Sequence, residues 1–302
     1  MRRGTSLSAP ALTLVLMTVL TLAGSGLFAR EYPSDDSGRD RVGIDYDAIM
    51  ERGYIEIGVY QDFAPYSWRN RSGQLVGVDV DLARLIADGL GVELRVIDLP
   101  ADEDVDTDLR NYIWRGHYMG RRVVNVLMRV PYNRELDYRN ELAALTGRYA
   151  QERIAIGYRI SDYPDEPPWP GSFTSKTVAV ENHSLPDFYL TGLQQGTLIP
   201  NMTRRRTLTE AIDLLRAGDV TAVMGIRAQL EHHLKDDPEF AVESGPLPGL
   251  AIGSWPVGIA TAFYTARMLS YEVDDILTAA VRDGRVAAIY RAHGLSWDEP
   301  GR

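Results

Sequence analysis

Beyond residue 53 the chain alternates two kinds of apolar pattern. Residues 54–60 (YIEIGVY) put apolar side chains at every second position, the period of a strand with one buried face. Residues 61–77 are rich in turn formers and read as a loop with a hairpin. In 78–90 (VDVDLARLIADGL), Val78, Leu82, Leu85, Ile86 and Leu90 share one helical face. Asp79 is placed to cap that helix and Gly91 to end it. A second strand is predicted over 92–99 (VELRVIDL) and a third over 123–130 (VVNVLMRV). Between them a helix is predicted over 104–115, with acids in its first turn and Arg115 near its end, where each sign suits the helix dipole. The β-α-β-α-β order implies a parallel sheet flanked by helices.

The pattern then restarts. Residues 154–158, 177–180, 220–224 and 253–261 are strand-like, and 184–192 reads as a short helix. Thr207 and Glu210 have the spacing of a capping box before a helix with Leu208, Ile212 and Leu215 on one face and Gly218 at its end. Two short helices, over 273–281 and 286–293, are punctuated by Gly284 and Gly294. Two similar α/β halves are therefore expected, with a tail that returns to the first.

The first 29 residues do not fit this alternation. Arg2 and Arg3 precede an apolar run over 11–23, and small residues lead to Ala29. That reads as a secretory signal peptide cleaved near Ala29, because the run is shorter than the roughly 20 residues a membrane span prefers. Residues 30–49 are mostly polar and read as a flexible leader. No cysteine is present, so an exported chain must rest on a packed core, which 45% hydrophobic residues allow. The net charge of −10, which becomes −12 when Arg2 and Arg3 leave with the signal, argues against nucleic-acid binding.

Four stretches, in order, carry a resemblance: GYIEIGVYQDFAPYS (53–67), GQLVGVDVDLA (73–83), MRVPYNR (128–134) and VDDILTAAVRDGRVAAIYRAHG (273–294). Together they resemble the family 3 extracellular solute-binding proteins of ABC transporters. The resemblance implies a two-lobed periplasmic binding protein fold of type II. Each lobe is a mixed, mostly parallel sheet flanked by helices, and two hinge strands join them. Lobe 1 is expected over 50–150 and 250–302 and lobe 2 over 151–249, with hinge strands near 151–154 and 247–253. A periplasmic monomer that serves an ABC permease follows. The segment 102–131 also resembles a subgroup associated with quinoprotein (PQQ-dependent) dehydrogenases. This implies an accessory alternative in which the tip His117-Tyr118-Met119 contacts an oxidoreductase.

The resemblance places Arg134 where family members bind a ligand carboxylate, a task suited to the paired donors of a guanidinium. Tyr66 and Trp68 fall where the family has an aromatic wall. Ser184, with Pro186 in the first turn, falls at a helix start that can hold an anion, and His183 stands beside it. The acid that receives a ligand ammonium has no counterpart here: the strand at 220–224 runs into Gly225, Ile226 and Arg227. Arg129 and Pro131 replace the usual threonine donor. With Arg134, Arg129 and Arg227 near the site, an anionic, carboxylate-bearing ligand is expected. Asp104, Asp106 and Asp108 do not make a calcium loop, since Leu109 and Arg115 stand where glycine and glutamate are needed. The five histidines show no metal-ligand spacing, and neither a nucleophile elbow nor a phosphate loop is present. A binder without cofactor or metal is expected, and a dehydratase-like enzyme is the remote alternative.

Overall fold

The computed structural model describes residues 43–118 and 122–301; the predicted signal peptide and most of the leader lie outside them, as does Met119. The first half holds α1 (Tyr46–Arg52), β1 (Tyr54–Tyr60), β2 (Trp68–Arg69), β3 (Leu75–Val76), α2 (Val78–Leu90), β4 (Glu93–Leu99), α3 (Val105–Leu109), β5 (Val126–Pro131) and α4 (Arg134–Arg139). The long strand β6 (Ala143–Arg159) follows. Then come β7 (Val178–Glu181), α5 (Leu185–Gly192), β8 (Met202–Arg205), α6 (Leu208–Ala217), β9 (Ala222–Ile226), α7 (Arg227–Leu234) and β10 (Phe240–Glu243). The chain ends with β11 (Ser254–Ala262), α8 (Arg267–Arg282) and α9 (Arg285–Ala292).

The sheet order β4-β1-β5-β11-β6-β9-β7-β8, with β10 on β6, is continuous only because β6 serves both lobes. Residues 143–153 of β6 pair antiparallel with β11, and Ile154 to Tyr158 pair with β9. In lobe 1, β4, β1 and β5 are parallel; in lobe 2, β9, β7 and β8 are parallel. The cores are distinct. One packs β1, α2, β5, β11, α8 and α9 together around Ile57, Leu82, Leu127 and Leu277. The other two cover opposite faces of the lobe 2 sheet, around Phe173 and Leu190 and around Ile212 and Leu230.

Several boundaries differ from the sequence reading for identifiable reasons. The expected leader ends sooner than residue 49, because Asp45 accepts a hydrogen bond from the Ala48 N–H at 2.8 Å and Ile49 is buried, so a helix starts at Tyr46. Asp79 does not cap α2: Gly77 holds the N-cap position and the Asp79 carboxylate is buried. The helix predicted over 104–115 changes its winding after Leu109. The Arg115 N–H reaches the Arg110 carbonyl at 2.9 Å, a five-residue step that marks a π-turn at Arg110–Trp114. The first of the two C-terminal helices is longer than predicted, beginning at Arg267.

Candidate functional site

In open α/β sheets, ligands meet the crevice beyond the carboxyl ends of parallel strands. Here β1 ends at Tyr60, β4 at Leu99 and β5 at Pro131, and the loops after β1 and β4 face, with the end of β5 itself, one cavity of about 390 Å³. Tyr60, Phe63 and Tyr66 form one wall, and residues 101–105 with Asp108 form the adjoining edge. Arg129 and Pro131 come from β5, while Glu152, Trp255 and Val257 come from the strands near the crossing. Ile226 is the contribution of lobe 2. The wall is an aromatic cluster: Phe63 lies 5.0 Å from Tyr66, tilted, and 6.3 Å, edge-on, from Tyr60. Its loop is held tightly. The Ser67 hydroxyl donates to the Tyr60 carbonyl, and a Cβ at Gly77 would fall 2.2 Å from the Tyr66 carbonyl oxygen.

Arg129 sits at the floor. Met128 and Arg129 together oppose Ile259, a β-bulge, because Leu127 pairs with Ala260 and Val130 with Gly258. Arg129 takes φ 60° there, a conformation that costs about 1–3 kcal/mol in a non-glycine residue. Its guanidinium is 5% exposed and gives Nε and Nη2 to Asp79 at 2.7 and 2.8 Å. Nη1 goes to Glu152 at 2.7 Å, and Nη2 also reaches the Tyr290 hydroxyl at 3.1 Å. Burial pulls the guanidinium down, but the field of Asp79, Tyr149, Tyr290 and Glu152 more than offsets it and keeps it charged. The Tyr66 ring lies 3.4 Å beneath its Cζ, and the Tyr66 hydroxyl donates to Glu152 at 2.8 Å.

The edge is acidic. Asp104 caps α3, accepting from the Thr107 N–H at 2.7 Å. The buried Asp108 accepts from the Tyr60 hydroxyl and from the Asp102 N–H, each at 2.8 Å. Burial pushes the Asp108 carboxyl up, against those two donors, and pushes the Tyr60 phenol well above its usual range, so Tyr60 stays a neutral donor. Asp102 is oriented by the Asn111 amide at 2.7 Å, and Glu103 is exposed at the mouth. Five carboxyl groups thus line the cavity against one guanidinium.

The structure distributes the sequence-predicted residues unevenly. Tyr66 and Arg129 meet at the cavity. Arg129 lines the cavity with its guanidinium already engaged by the buried carboxylates of Asp79 and Glu152. Arg134 is exposed at the first turn of α4 and is not among the lining residues. Trp68 also lies elsewhere: its ring is 5.2 Å from His232 and 6.3 Å from His293, so it packs at the junction of α7 and α9. Ser184 does what an N-cap does, accepting from the Asp187 N–H at 3.3 Å and donating to the Glu181 carbonyl at 2.6 Å. His183 stacks near Phe188, away from the cavity, and Arg227 pairs with Asp298 and Glu231. Among these lining residues Arg129 is the one guanidinium, and it is paired. Sequence reasoning missed Glu152, Trp255 and the acids at 102–104 as cavity residues. The available signal was position: the acids follow directly on the end of β4.

Residues 55–109 match the family model of bacterial extracellular solute-binding proteins, family 3. That stretch runs from β1 through α3. Over 51 residues, 17% of this chain, there is 37% identity to a cyclohexadienyl dehydratase of Pseudomonas aeruginosa; the match spans 19% of that protein's length. Solved structures align much further. An ancestral cationic amino acid solute binding protein superposes with TM-score 0.64 at 20% identity, over 82% of this chain and 97% of its own. The fold is that of a type II periplasmic binding protein. A variant of ArgBP from T. maritima with the same fold aligns with TM-score 0.55 at 25% identity, over 82% of this chain and 98% of its own. An arginine-bound amino acid ABC transporter substrate-binding protein from Streptococcus pneumoniae aligns with TM-score 0.58 at 20% identity, over 84% and 98%. No helix among the described residues is long and apolar enough to cross a membrane.

Proposed function

We propose that this protein is an exported solute-binding protein that captures a small organic cation between its two lobes and presents it to an ABC-type permease. One observation carries the reading: the cavity at the lobe junction joins an aromatic wall to five carboxyl groups, and its only guanidinium is already paired. Aromatic faces attract cations, and carboxylates hold their N–H groups. The family match supports it, since residues 55–109 include the whole aromatic wall and Asp102 to Asp108. Two structural neighbours are named for cationic amino acids or bound arginine, which agrees in charge. The likenesses to solved structures are to binding proteins, so they lend nothing to the quinoprotein-linked alternative. We read the chain as a binder and not an enzyme, so that a solute incubated with it is recovered unchanged.

Thermal denaturation against a panel of solutes tests this. A ligand at about 100 times its Kd adds roughly 2.7 kcal/mol to the native state, which raises Tm by about 5 °C for a chain of this size. Arginine, lysine and their decarboxylated amines are expected to include stabilisers, while dicarboxylates leave Tm unchanged. Stabilisation by dicarboxylates alone would reverse the assignment.

A further inference from the structure

We infer that the preferred solute carries no carboxylate: it is an amine or guanidine, not a zwitterionic amino acid. This rests on the cleft being a cation site and narrows its chemistry. A bound carboxylate needs a donor group that can approach it. Among the lining residues the only guanidinium is Arg129, and four of its five N–H groups are given to Asp79, Glu152 and Tyr290. Freeing it would leave two buried carboxylates unpaired. Where β5 ends at the cavity stands Pro131, which has no N–H to offer. Arg134 is exposed outside the lining, and Arg227 is held by Asp298. A carboxylate in this cavity would therefore lose its water and face carboxyl groups of its own sign.

A cationic group meets the opposite situation. Both acids line the cavity: Glu103 is exposed, and Asp102 accepts from the Asn111 amide at Oδ2. An amine or guanidine placed there can lay its carbon chain along the half-buried Tyr60 and Phe63 rings. Selection against the amino acid then comes from repulsion, and selection for the amine from the same acids.

Calorimetric titration of the full processed chain with matched pairs decides the matter: agmatine against arginine, and cadaverine against lysine. The amine of at least one pair is expected to bind 10-fold or more tightly than its amino acid. Amino acids binding as tightly as their amines would overturn this inference and leave the cation site standing. No heat with any of the four would overturn both. Two variants sharpen the reading. Glu103→Gln is expected to weaken amine binding about 5- to 10-fold, and an unchanged amine affinity would count against the acid edge as the recognition element. Arg134→Ala is expected to leave amine affinity within twofold. A 10-fold loss of amino-acid binding in that variant would place a ligand carboxylate at Arg134 and contradict the inference.

Discussion

Arg129 shows how one residue can sit in a ligand cavity and still belong to the scaffold. The bulge in β5 turns its side chain toward Asp79 of α2 and Glu152 of β6, while Tyr149 gives a further hydrogen bond to Asp79 at 3.0 Å. Three elements far apart in sequence are thereby tied beneath the aromatic wall. Removing one partner of such a buried pair costs about 3–5 kcal/mol, since the remaining charge keeps its desolvation penalty. Arg129→Met is therefore expected to lower unfolding free energy by about that amount in urea denaturation, and Arg129→Met with Asp79→Asn to recover part of it. A single variant within 1 kcal/mol of the parent would show that the network is not structural. The alternation in VVNVLMRV put Arg129 in a strand. Nothing in the local pattern could show which carboxylates, 50 and 23 residues away, would meet it. The same limit sent Asp79 to a capping role. Its position in the first turn was legible, but its partner was not.

At the scale of elements, α7 links the two lobes. It starts directly after β9, and Ala228 on it is buried in the core of lobe 1. Lys235 donates to the His293 carbonyl at 2.8 Å, Glu231 accepts from the Ser296 N–H at 2.8 Å, and Arg227 meets Asp298 at 3.0 Å. The C-terminal segment after α9 is thus clasped by a lobe 2 helix. His232 lies within this clasp, beside Trp68, and burial pushes its pKa down to about 4, helped by His233, Lys235 and His293. A histidine whose folded pKa is depressed supports stability above its ordinary value of 6.5 and loses that support as pH falls toward 4. The parent is therefore expected to lose more stability between pH 6.5 and 4 than His232→Asn does, in thermal melts at matched ionic strength. Parallel curves for the two would remove His232 from the pH response. Elements with a strong period, such as α2, α6 and β1, could be read from the sequence because their apolar faces are long enough to repeat. The strands β8 and β10, four residues each, could not, since their pairing is set by neighbours in the sheet. The π-turn after α3 likewise leaves no period of its own.

The whole molecule is two α/β lobes built on one shared strand. β6 changes its partner from β11 to β9 at Arg153 and Ile154, and Glu152 stands in the cavity just before that change. Rotation of the lobes about the crossing strands would bring Ile226 toward the aromatic wall, the kind of hinge closure that buries a ligand. The alternation of elements and the restart of the pattern after residue 150 made this architecture legible in the sequence. The make-up of the cavity was not, because residues drawn from β1, α3, β6 and β11 gather only in the folded chain. The most direct measurement is a crystal structure of the processed protein grown with agmatine. Density is predicted between the Tyr60 and Phe63 rings and Trp255, with the guanidinium or amine at Asp102 and Glu103. An empty cleft at saturating agmatine, or a ligand anchored at Arg134, would contradict the account.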